Sequence, residues 1–282
     1  MSRALARLAA PEFNLALTLN SGQVFHWLPH RNGFVGAIGD APVYVEQRGD
    51  ELRTNAKPQF VARYFALDHP LMDIYRTFPN DPTMSEALTF CRGLRIIRQP
   101  AWECLATFIT SSMKQVAHIA QISHTLRRKF GKRLRLAEIE LFAYPTVAAL
   151  AKTSELELRK CALGYRAKNL LGTARMIANG EVELEKIRAM NDDDARAELC
   201  RFPGVGEKIA NCVLLFAYER VRAFPIDIWI ERVLRETYFA RKRKITAKRL
   251  REFSQSYFGE FGGYAQQYLF HHARSTRKKG AR

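Results

Sequence analysis

The most reactive pairing in the sequence is a lysine and an aspartate separated by about the length of one helix and a loop. Lys208 follows a glycine-rich turn, Pro203-Gly204-Val205-Gly206, and Asp227 lies 19 residues further along. An amine attacks carbon only when it is unprotonated, and both burial and a nearby positive helix N-terminus disfavour the ammonium form. A carboxylate beside it can stabilise positive charge at the attacked carbon and assist proton movement. The pair predicts a nucleophile, Lys208, with Asp227 as its partner; taken singly, a phosphate-binding lysine and a helix-capping aspartate are the simpler interpretations.

The turn before Lys208 predicts a helix, a tight hairpin and a second helix across residues 199–210. Glycines at 204 and 206 let the backbone turn sharply and approach a phosphate without a Cβ in the way. The amides of Gly204, Val205 and Gly206, together with the following helix N-terminus, would then form an anion site. An ordinary helix–helix turn is the alternative interpretation of this segment taken alone.

The charge of the chain favours a polyanionic partner. Its 45 Lys and Arg residues against 28 Asp and Glu give a formal net charge of +17, and such a field attracts nucleic acid and speeds its encounter. A membrane surface is the competing partner, but the basic runs at 127–129, 241–244 and 277–279 lack the interleaved Trp and Leu of an interfacial helix. We therefore expect nucleic acid as the partner and no membrane.

Length and cysteine usage limit the remaining possibilities. The 282 residues, 47% of them hydrophobic, can bury a substantial core in one large or two ordinary domains. No run of about 18 apolar residues and no secretory segment is visible, so a cytoplasmic protein is expected. The five cysteines lack C-x-x-C spacing, which indicates neither a disulfide framework nor a zinc or iron–sulfur site and predicts mostly buried thiols. They are Cys91, Cys104, Cys161, Cys200 and Cys212.

The first part of the chain has the pattern of a β-sheet. Apolar residues on alternate positions from Phe13 to Leu19 predict a strand with one buried face. Short apolar runs follow at 24–28, 34–38 and 43–45. The dipeptides Asn32-Gly33 and Gly39-Asp40 separate them and can supply the positive φ that hairpin turns need. An antiparallel meander is the predicted arrangement.

Helical patterns dominate after Pro58, whose fixed φ suits a first helical turn. Pro100 opens another apolar helix, and a further helix ends near Gly131. Asp192 can cap a helix that closes at Cys200. We therefore predict an α+β protein, with an N-terminal antiparallel β-sheet domain over residues 1–92 and a helical domain over residues 93–282.

Hairpin, lysine and aspartate together resemble the signature of the helix-hairpin-helix (HhH-GPD) base-excision DNA glycosylases. In that superfamily a Gly/Pro-Asp element carries the essential aspartate, here Asp227, and the lysine, here Lys208, marks the bifunctional branch. The resemblance implies a TBP-like N-terminal sheet domain and an all-helical HhH-GPD domain with its hairpin at 199–210. It also implies double-stranded DNA containing a damaged base as the partner.

Four further segments are most similar to the 8-oxoguanine DNA glycosylase branch, and two of them lie in the first half of the chain. Residues 20–27 resemble its Ser-Gly-Gln-x-Phe-x-Trp element, in which a glycine carbonyl, here that of Gly22, senses the N7 hydrogen of 8-oxoguanine. Residues 99–112 resemble its Trp-Glu-Cys-Leu helix, which leads into the segment that fills the hole left by the flipped base. A simple strand-linking turn is the alternative for Gly22.

The other two segments imply contacts to DNA and to the base. Residues 162–168 resemble Leu-Gly-Tyr-Arg-Ala, in which Tyr165 wedges beside the vacated position and Arg166 addresses the orphaned base. In the matching C-terminal helix, Gln266 reads the Watson–Crick edge and Phe270, on the same face four residues on, stacks on the base. The same match places Cys212 on the opposite side of the purine; without the family, a buried core cysteine is the simpler interpretation.

Three departures from the family pattern concern selectivity. Met113-Lys114-Gln115 stands where the family usually has an Asn-rich run, and His118 stands where an Arg would contact the cytosine opposite the lesion. Trp229 replaces the His that usually follows the catalytic aspartate. The resemblance therefore implies the chemistry more firmly than the preferred lesion or opposite base.

The implied activity is excision of an oxidised purine, 8-oxoguanine, with associated lyase cleavage of the strand. The implied protein is a monomer without a catalytic metal or cofactor, with a structural monovalent cation possible at the hairpin carbonyls. Two alternatives stay open: an alkylpurine glycosylase that uses water in place of the amine, and a noncatalytic DNA-binding module that uses the hairpin as a phosphate grip. The expected compartment is the cytoplasm, at the nucleoid, for a bacterial protein and the nucleus for a eukaryotic one.

Overall fold

The computed structural model describes residues 5–112, 115–240 and 245–277. Its N-terminal part contains a sheet of five antiparallel strands in the order β1-β5-β4-β3-β2. The strands are β1 Ala6–Ala9, β2 Leu28–His30, β3 Gly33–Ile38, β4 Ala41–Arg48 and β5 Glu51–Thr54. The predicted meander is confirmed over β2 to β5, and β1 extends it by pairing with β5.

The strand predicted from Phe13 to Leu19 is wrong, because this segment forms helix α1, Leu15–Asn20. Leu15 and Leu19 are both buried, and their spacing places them on one face of a helix as well as on one face of a strand. The cap decides between the two: the side chain of Asn14 accepts a hydrogen bond of 2.9 Å from the amide of Leu17. Alternation over so short a segment could not separate the two structures.

The strand predicted at 24–28 is also wrong except for Leu28, where β2 begins. The first hairpin turn differs in detail as well, because the positive φ of 50° belongs to Arg31. Gly33 serves a different purpose: a Cβ there would lie 2.2 Å from the carbonyl oxygen of Val45 on the neighbouring strand. The second turn is as predicted, with Gly39 at a φ of 57°.

Fourteen further α-helices lie in the rest of the described chain, and none of them is long and apolar enough to cross a membrane. Their bounds are α2 Pro58–Tyr64, α3 Leu71–Arg76, α4 Pro82–Cys91, α5 Ala101–Ser111, α6 Val116–Phe130, α7 Val147–Ala151, α8 Glu155–Leu158, α9 Arg166–Ala178, α10 Leu184–Ile187, α11 Asp192–Cys200, α12 Glu207–Ala217, α13 Ile228–Val233, α14 Ala247–Tyr257 and α15 Gly262–Arg277. The helix starts predicted at Pro58 and Pro100 and the helix end at Gly131 are confirmed. The cap predicted at Asp192 falls one residue too late, because the side chain of Asn191 accepts from the amides of residues 193 and 194.

The helical part also holds a two-stranded hairpin that the sequence analysis missed. It consists of β6 Arg133–Leu136 and β7 Ile139–Phe142. Leu134 and Leu141, one from each strand, pack with Val35 and Ala37 of the N-terminal sheet into a small apolar cluster. The hairpin therefore covers part of that sheet and joins the two regions of the chain.

Most of the helices surround one large hydrophobic core, which extends from Leu71 to Ala273. A second core lies beneath the N-terminal sheet and includes Ile97. Residues of α3 and α4 pack into the large core, mainly through the contact between α4 and α15. The domain boundary near residue 92 stays a prediction. For the site, the important result is that α4, α5, α12 and α15 form one packed body.

A buried ionic cluster ties this body to the N-terminal sheet. The guanidinium of Arg127 on α6 donates to the carboxylate of Glu103 on α5, and also to the carbonyl of Phe142 at 3.1 Å. His26 lies 3.4 Å from the same carboxylate through Nδ1, and its Nε2 is 2.8 Å from the carbonyl oxygen of Ala37. Burial raises the pKa of Glu103, opposed by Arg127, and burial lowers the pKa of His26. The buried ion pair of Arg127 and Glu103 thus links α6, α5 and β7. His26 connects the same pair to the N-terminal sheet.

Replacing Arg127→Met should lower the free energy of unfolding by about 3–5 kcal/mol, because Glu103 is left buried without its partner. Urea denaturation at pH 7 measures this loss. The double variant Glu103→Gln/Arg127→Met should recover part of it, because the uncompensated charge is then gone. If the loss of stability in the double variant equals the sum of the losses in Glu103→Gln and Arg127→Met alone, the two groups are not coupled.

Candidate active site

The hairpin between α11 and α12 has the open backbone of an anion site. Gly204 has a φ of 76°, which favours glycine, and a Cβ there would also lie 2.2 Å from the side-chain nitrogen Nδ2 of Asn169. Gly206 caps α12 without a side-chain hydrogen bond, and a Cβ on it would meet no described atom within 4 Å. The first-turn amides of α12 therefore have no side-chain cap, which leaves this helix N-terminus able to bind an anion. Val205 differs, because it is buried and its amide donates to the carbonyl of Phe202 at 3.1 Å.

Lys208 lies in the first turn of α12, and its side chain is half-buried. Its Nζ is 5.4 Å from the centroid of the Phe108 ring, which stacks on Phe216 with centroids 5.5 Å apart. One turn further along α12, burial raises the pKa of the Cys212 thiol, opposed by the charge of Lys208. The amine is thus placed between an aromatic wall from α5 and the thiol that was predicted to contact the base. Phe108 was missed in the sequence because it looks like any apolar residue of an amphipathic helix.

Asp227 is the N-cap of α13, and its half-buried carboxylate accepts from the amides of Trp229 at 3.1 Å and Ile230 at 2.9 Å. Burial raises the pKa of this carboxyl group above its ordinary value, although the Ile230 amide, the charge of Lys208 and the Trp229 amide act in the opposite direction. The charge of Lys208 thus acts on the Asp227 carboxyl group. The structure therefore brings together the two residues that the sequence predicts as catalytic.

Residues from opposite ends of the chain form an adjoining pocket. Gly22 has a φ of 89°, and a Cβ on it would lie 3.1 Å from the Phe270 ring of α15. Gln266, one turn before Phe270, is buried, and no described residue provides a hydrogen-bond partner for its Oε1. A buried amide oxygen without a partner is rare in folded proteins and indicates a group awaiting a donor.

Hydrogen bonds from two buried glutamines hold the Gly22 loop in place. Gln23 donates to the carbonyl of Arg95 at 2.8 Å and accepts from the amide of Ile97 at 2.7 Å. Gln267 of α15 donates to the carbonyl of Ser21 at 3.0 Å. Gln267 was missed by the sequence analysis, because its partner is a backbone group 246 residues away.

The segment expected to enter the DNA projects from a strained turn. Ala162 and Gly164 have φ values of 61° and 59°, and Tyr165 follows with 55% of its surface exposed. The guanidinium of Arg166 lies 4.4 Å from the Tyr165 ring centroid and donates to the carbonyls of Ser112 and Leu163. The exposed tyrosine suits a wedge, whereas Arg166 is buried and supports it; a contact from Arg166 to an orphaned base stays a prediction.

The described residues that depart from the family pattern lie at the starts of α6 and α13. His118 is exposed in the first turn of α6. Trp229 is half-buried in the first turn of α13, with the Arg232 guanidinium carbon 6.0 Å from its ring centroid. Met113 and Lys114 lie outside the described residues, and Gln115 caps α6.

Comparison with known proteins identifies the family. Residues 6–105 match the family model of the 8-oxoguanine DNA glycosylase N-terminal domain, and residues 106–258 match that of the HhH-GPD superfamily base excision DNA repair proteins. N-glycosylase/DNA lyase OGG1 of Arabidopsis thaliana is 31% identical over 94% of this chain and 78% of its own length. The probable N-glycosylase/DNA lyase of Methanothermobacter thermautotrophicus is 28% identical over 96% of each chain.

The solved structures agree with this match. The Clostridium acetobutylicum 8-oxoguanine glycosylase/lyase, in complex with double-stranded DNA containing cytosine opposite 8-oxoguanine, superposes with a TM-score of 0.92 and 31% identity. The match covers 98% of this chain and 97% of that one. The fold and hairpin thus define a base-excision repair protein. The chain belongs to the HhH-GPD superfamily and, within it, to the 8-oxoguanine DNA glycosylase family.

The burial of Asp227 should reduce the stability of the folded protein at neutral pH. Its pKa is raised on folding, so the native state holds this proton to higher pH than the unfolded chain does, and stability falls as pH rises through that window. Asp227→Asn keeps the capping oxygen without the charge. We expect a melting temperature higher by roughly 2–4 °C at pH 7.5, the shift that about 1 kcal/mol produces in a domain of this size.

Thermal denaturation from pH 7.5 to pH 4 tests this expectation. The gain of the variant should shrink on acidification, because Asp227 then becomes protonated in the parent protein as well. A gain that grows at low pH would contradict the raised pKa.

Proposed function

We propose that this protein is a DNA repair enzyme that excises 8-oxoguanine from duplex DNA and then cleaves the strand as a lyase. The observation that carries the proposal is the unpartnered, buried Oε1 of Gln266, which lies one turn from Phe270. The Watson–Crick edge of a guanine-type base offers the N1 and N2 hydrogens as donors, and adenine has no hydrogen at N1. Gln266 therefore suits a guanine-type base, with Phe270 on one face of the ring and Cys212 on the other.

Gly22 would supply the discrimination against undamaged guanine. Its carbonyl would accept the N7 hydrogen of 8-oxoguanine, whereas N7 of guanine carries a lone pair and would oppose it. The close approach needed for this contact explains a glycine with positive φ packed against Phe270. The hydrogen bonds of Gln23 and Gln267 keep that loop from retreating.

The DNA would be held at the hairpin. A phosphate accepts from the first-turn amides of α12, and the net charge of +17 provides long-range attraction. The exposed Tyr165 would fill the space that the flipped base leaves, offsetting part of the cost of unstacking. His118, exposed on α6, would contact the strand that carries the opposite base.

The reaction begins when the unprotonated Lys208 nitrogen bonds to C1′ of the flipped nucleotide. The C1′–N9 bond breaks, its electron pair leaves on the base, and N9 takes up a proton. Asp227 stabilises the positive charge that develops at C1′. The bonded nitrogen, which became positively charged on attack, loses a proton and regains its lone pair. That lone pair then forms a C=N bond as C1′–O4′ breaks and O4′ takes a proton, giving a protonated Schiff base. Loss of a C2′ proton expels the 3′ phosphate with the C3′–O electron pair, and water hydrolyses the Schiff base.

Two rival functions make different demands on the site. An alkylpurine glycosylase would keep Asp227 but would need no amine beside it, whereas Lys208 lies beside Phe108 and Cys212 within the site. A noncatalytic phosphate grip would need the hairpin alone, and the buried pocket of Gln266 and Phe270 would then have no purpose. The complete site favours the bifunctional enzyme.

The remaining properties extend the same proposal. The hairpin carbonyls of residues 200–205 offer oxygen donors of the kind that a monovalent cation prefers, and a bound cation would stiffen the turn beneath the phosphate without entering the chemistry. The enzyme would act as a monomer on double-stranded DNA. It would work at the nucleoid in the cytoplasm of a bacterium, or in the nucleus of a eukaryote.

Borohydride trapping on duplexes that carry 8-oxoguanine opposite cytosine tests the nucleophile. The parent enzyme should form a covalent adduct, because borohydride reduces the Schiff base to a stable amine. Lys208→Gln should lose adduct and strand cleavage while duplex affinity changes little, since the phosphate grip uses backbone amides. The exposed Lys186 on α10 gives a matched control, Lys186→Gln, that should behave as the parent.

Each outcome of the trapping experiment is informative. An adduct that persists in Lys208→Gln would show that Lys208 is not the nucleophile. Base release without trapping in the parent would favour the water-dependent alkylpurine rival, and binding with neither reaction would leave the noncatalytic grip.

Gln266→Met tests the base assignment, because it keeps the volume of the side chain but removes the acceptor. We expect the single-turnover rate of 8-oxoguanine excision to fall about tenfold or more, the worth of one buried hydrogen bond. Cleavage of a duplex that already contains an abasic site should fall much less, because no base is read. Equal losses on both substrates would place Gln266 in the structural core and outside the base pocket.

A further inference from the structure

Arg274 lies on the same face of α15 as Gln266 and Phe270, one turn beyond the phenylalanine. Its guanidinium carbon is 5.3 Å from the centroid of the Phe270 ring. Nη2 donates to the carbonyl of Asn20 at 2.8 Å and lies 3.2 Å from Nδ1 of His271. The side chain is therefore anchored at the loop that carries Gly22, and the sequence analysis gave it no role.

The other terminal nitrogen of this guanidinium faces the pocket. A Cβ on Gly22 would lie 2.8 Å from Nη1, so Nη1 is in near contact with the glycine backbone. No hydrogen bond joins Nη1 to another residue in the described parts of the chain. Burial lowers the pKa of Arg274, opposed by the carboxylate of Asp227, but an arginine keeps its charge. The pocket thus contains an anchored cation with a free pair of N–H donors next to Gly22.

The chemistry of an oxidised purine matches this arrangement. In 8-oxoguanine the N7 hydrogen is flanked by two carbonyl oxygens, O6 and O8. The Gly22 carbonyl can accept from the N7 hydrogen, while Nη1 of Arg274, directly beside it, can donate to O6 or O8. We propose that Arg274 is a specificity-determining residue whose Nη1 donates a hydrogen bond to a carbonyl oxygen flanking N7 of the flipped base. This inference rests on the proposed function.

Two other roles for Arg274 would leave different signatures. A guanidinium that contacts a DNA phosphate would act equally on substrates with and without a base. A guanidinium that only clamps Phe270 would have no effect once the ring is absent. A substrate without the base therefore distinguishes a phosphate contact from base recognition, and a variant without the Phe270 ring distinguishes a clamp from base recognition.

The experiment compares two reactions of the same enzyme: excision of 8-oxoguanine and cleavage of a duplex that carries a ready-made abasic site. Arg274→Met should lower the ratio of the excision rate to the abasic cleavage rate about tenfold or more, because the variant loses a charged donor to the base. Arg274→Lys, which keeps the charge but has a single nitrogen, should give an intermediate ratio. Arg76→Met removes an exposed arginine that pairs with Asp73 on α3 and should leave the ratio unchanged.

The same loss must persist when Phe270 is already replaced. Arg274→Met in a Phe270→Leu background should still lower the ratio, and complete disappearance of its effect would show a clamp and overturn the proposal. An unchanged ratio in Arg274→Met, or equal losses in both reactions, would overturn it too. Abasic cleavage also reports that each variant is folded, and its absence in the parent protein would refute the proposed function itself.

Discussion

The base pocket depends on the hydrogen bonds of one fully buried amide, that of Gln23. The two ends of this amide satisfy backbone groups of the segment 95–97, and the main-chain carbonyl of Gln23 accepts from the side chain of Gln99 at 2.8 Å. Each of these groups would otherwise be buried without a partner, which is far more costly than the hydrogen bond is favourable. These hydrogen bonds hold the loop in the position that brings Gly22 against α15. In the proposed function, the base would have no wall at its N7 side without this contact.

The two residues predicted to be catalytic both lie at helix N-termini. Lys208 is in the first turn of α12 and Asp227 caps α13, so the same type of local structure presents the amine and the carboxylate. A helix N-terminus favours a carboxylate and disfavours an ammonium group. Burial disfavours the charged form of Asp227, so the ionised carboxylate lowers the stability of the fold. The large core that holds α5, α12 and α15 together has to compensate for this loss of stability.

Local signals in the sequence predicted the starts of α2 and α5, the end of α6, the helices on both sides of the 199–210 hairpin and most of the meander, because each is encoded within a few neighbouring positions. The catalytic roles of Lys208 and Asp227 stay predictions. The features that the sequence analysis missed depend on ambiguous patterns or on contacts between residues distant in the chain. The segment 15–20 satisfied both periodicities, and a single cap decided the outcome. Phe108, Gln267 and Arg274 obtain their roles from partners far away in sequence, which no local pattern reveals. The hairpin of β6 and β7 was missed because its strands of four residues bury little besides Leu134 and Leu141.

The contact between Gly22 and α15 joins residues from opposite ends of the chain, which are synthesised at different times. The phosphate grip, the amine and the carboxylate are all translated before Gln266, Phe270 and Arg274 emerge. The proposed base-reading residues Gln266, Phe270 and Arg274 all belong to α15, which is also part of the large core. In the proposed function, selectivity would therefore wait for the last described helix to dock against the Gly22 loop.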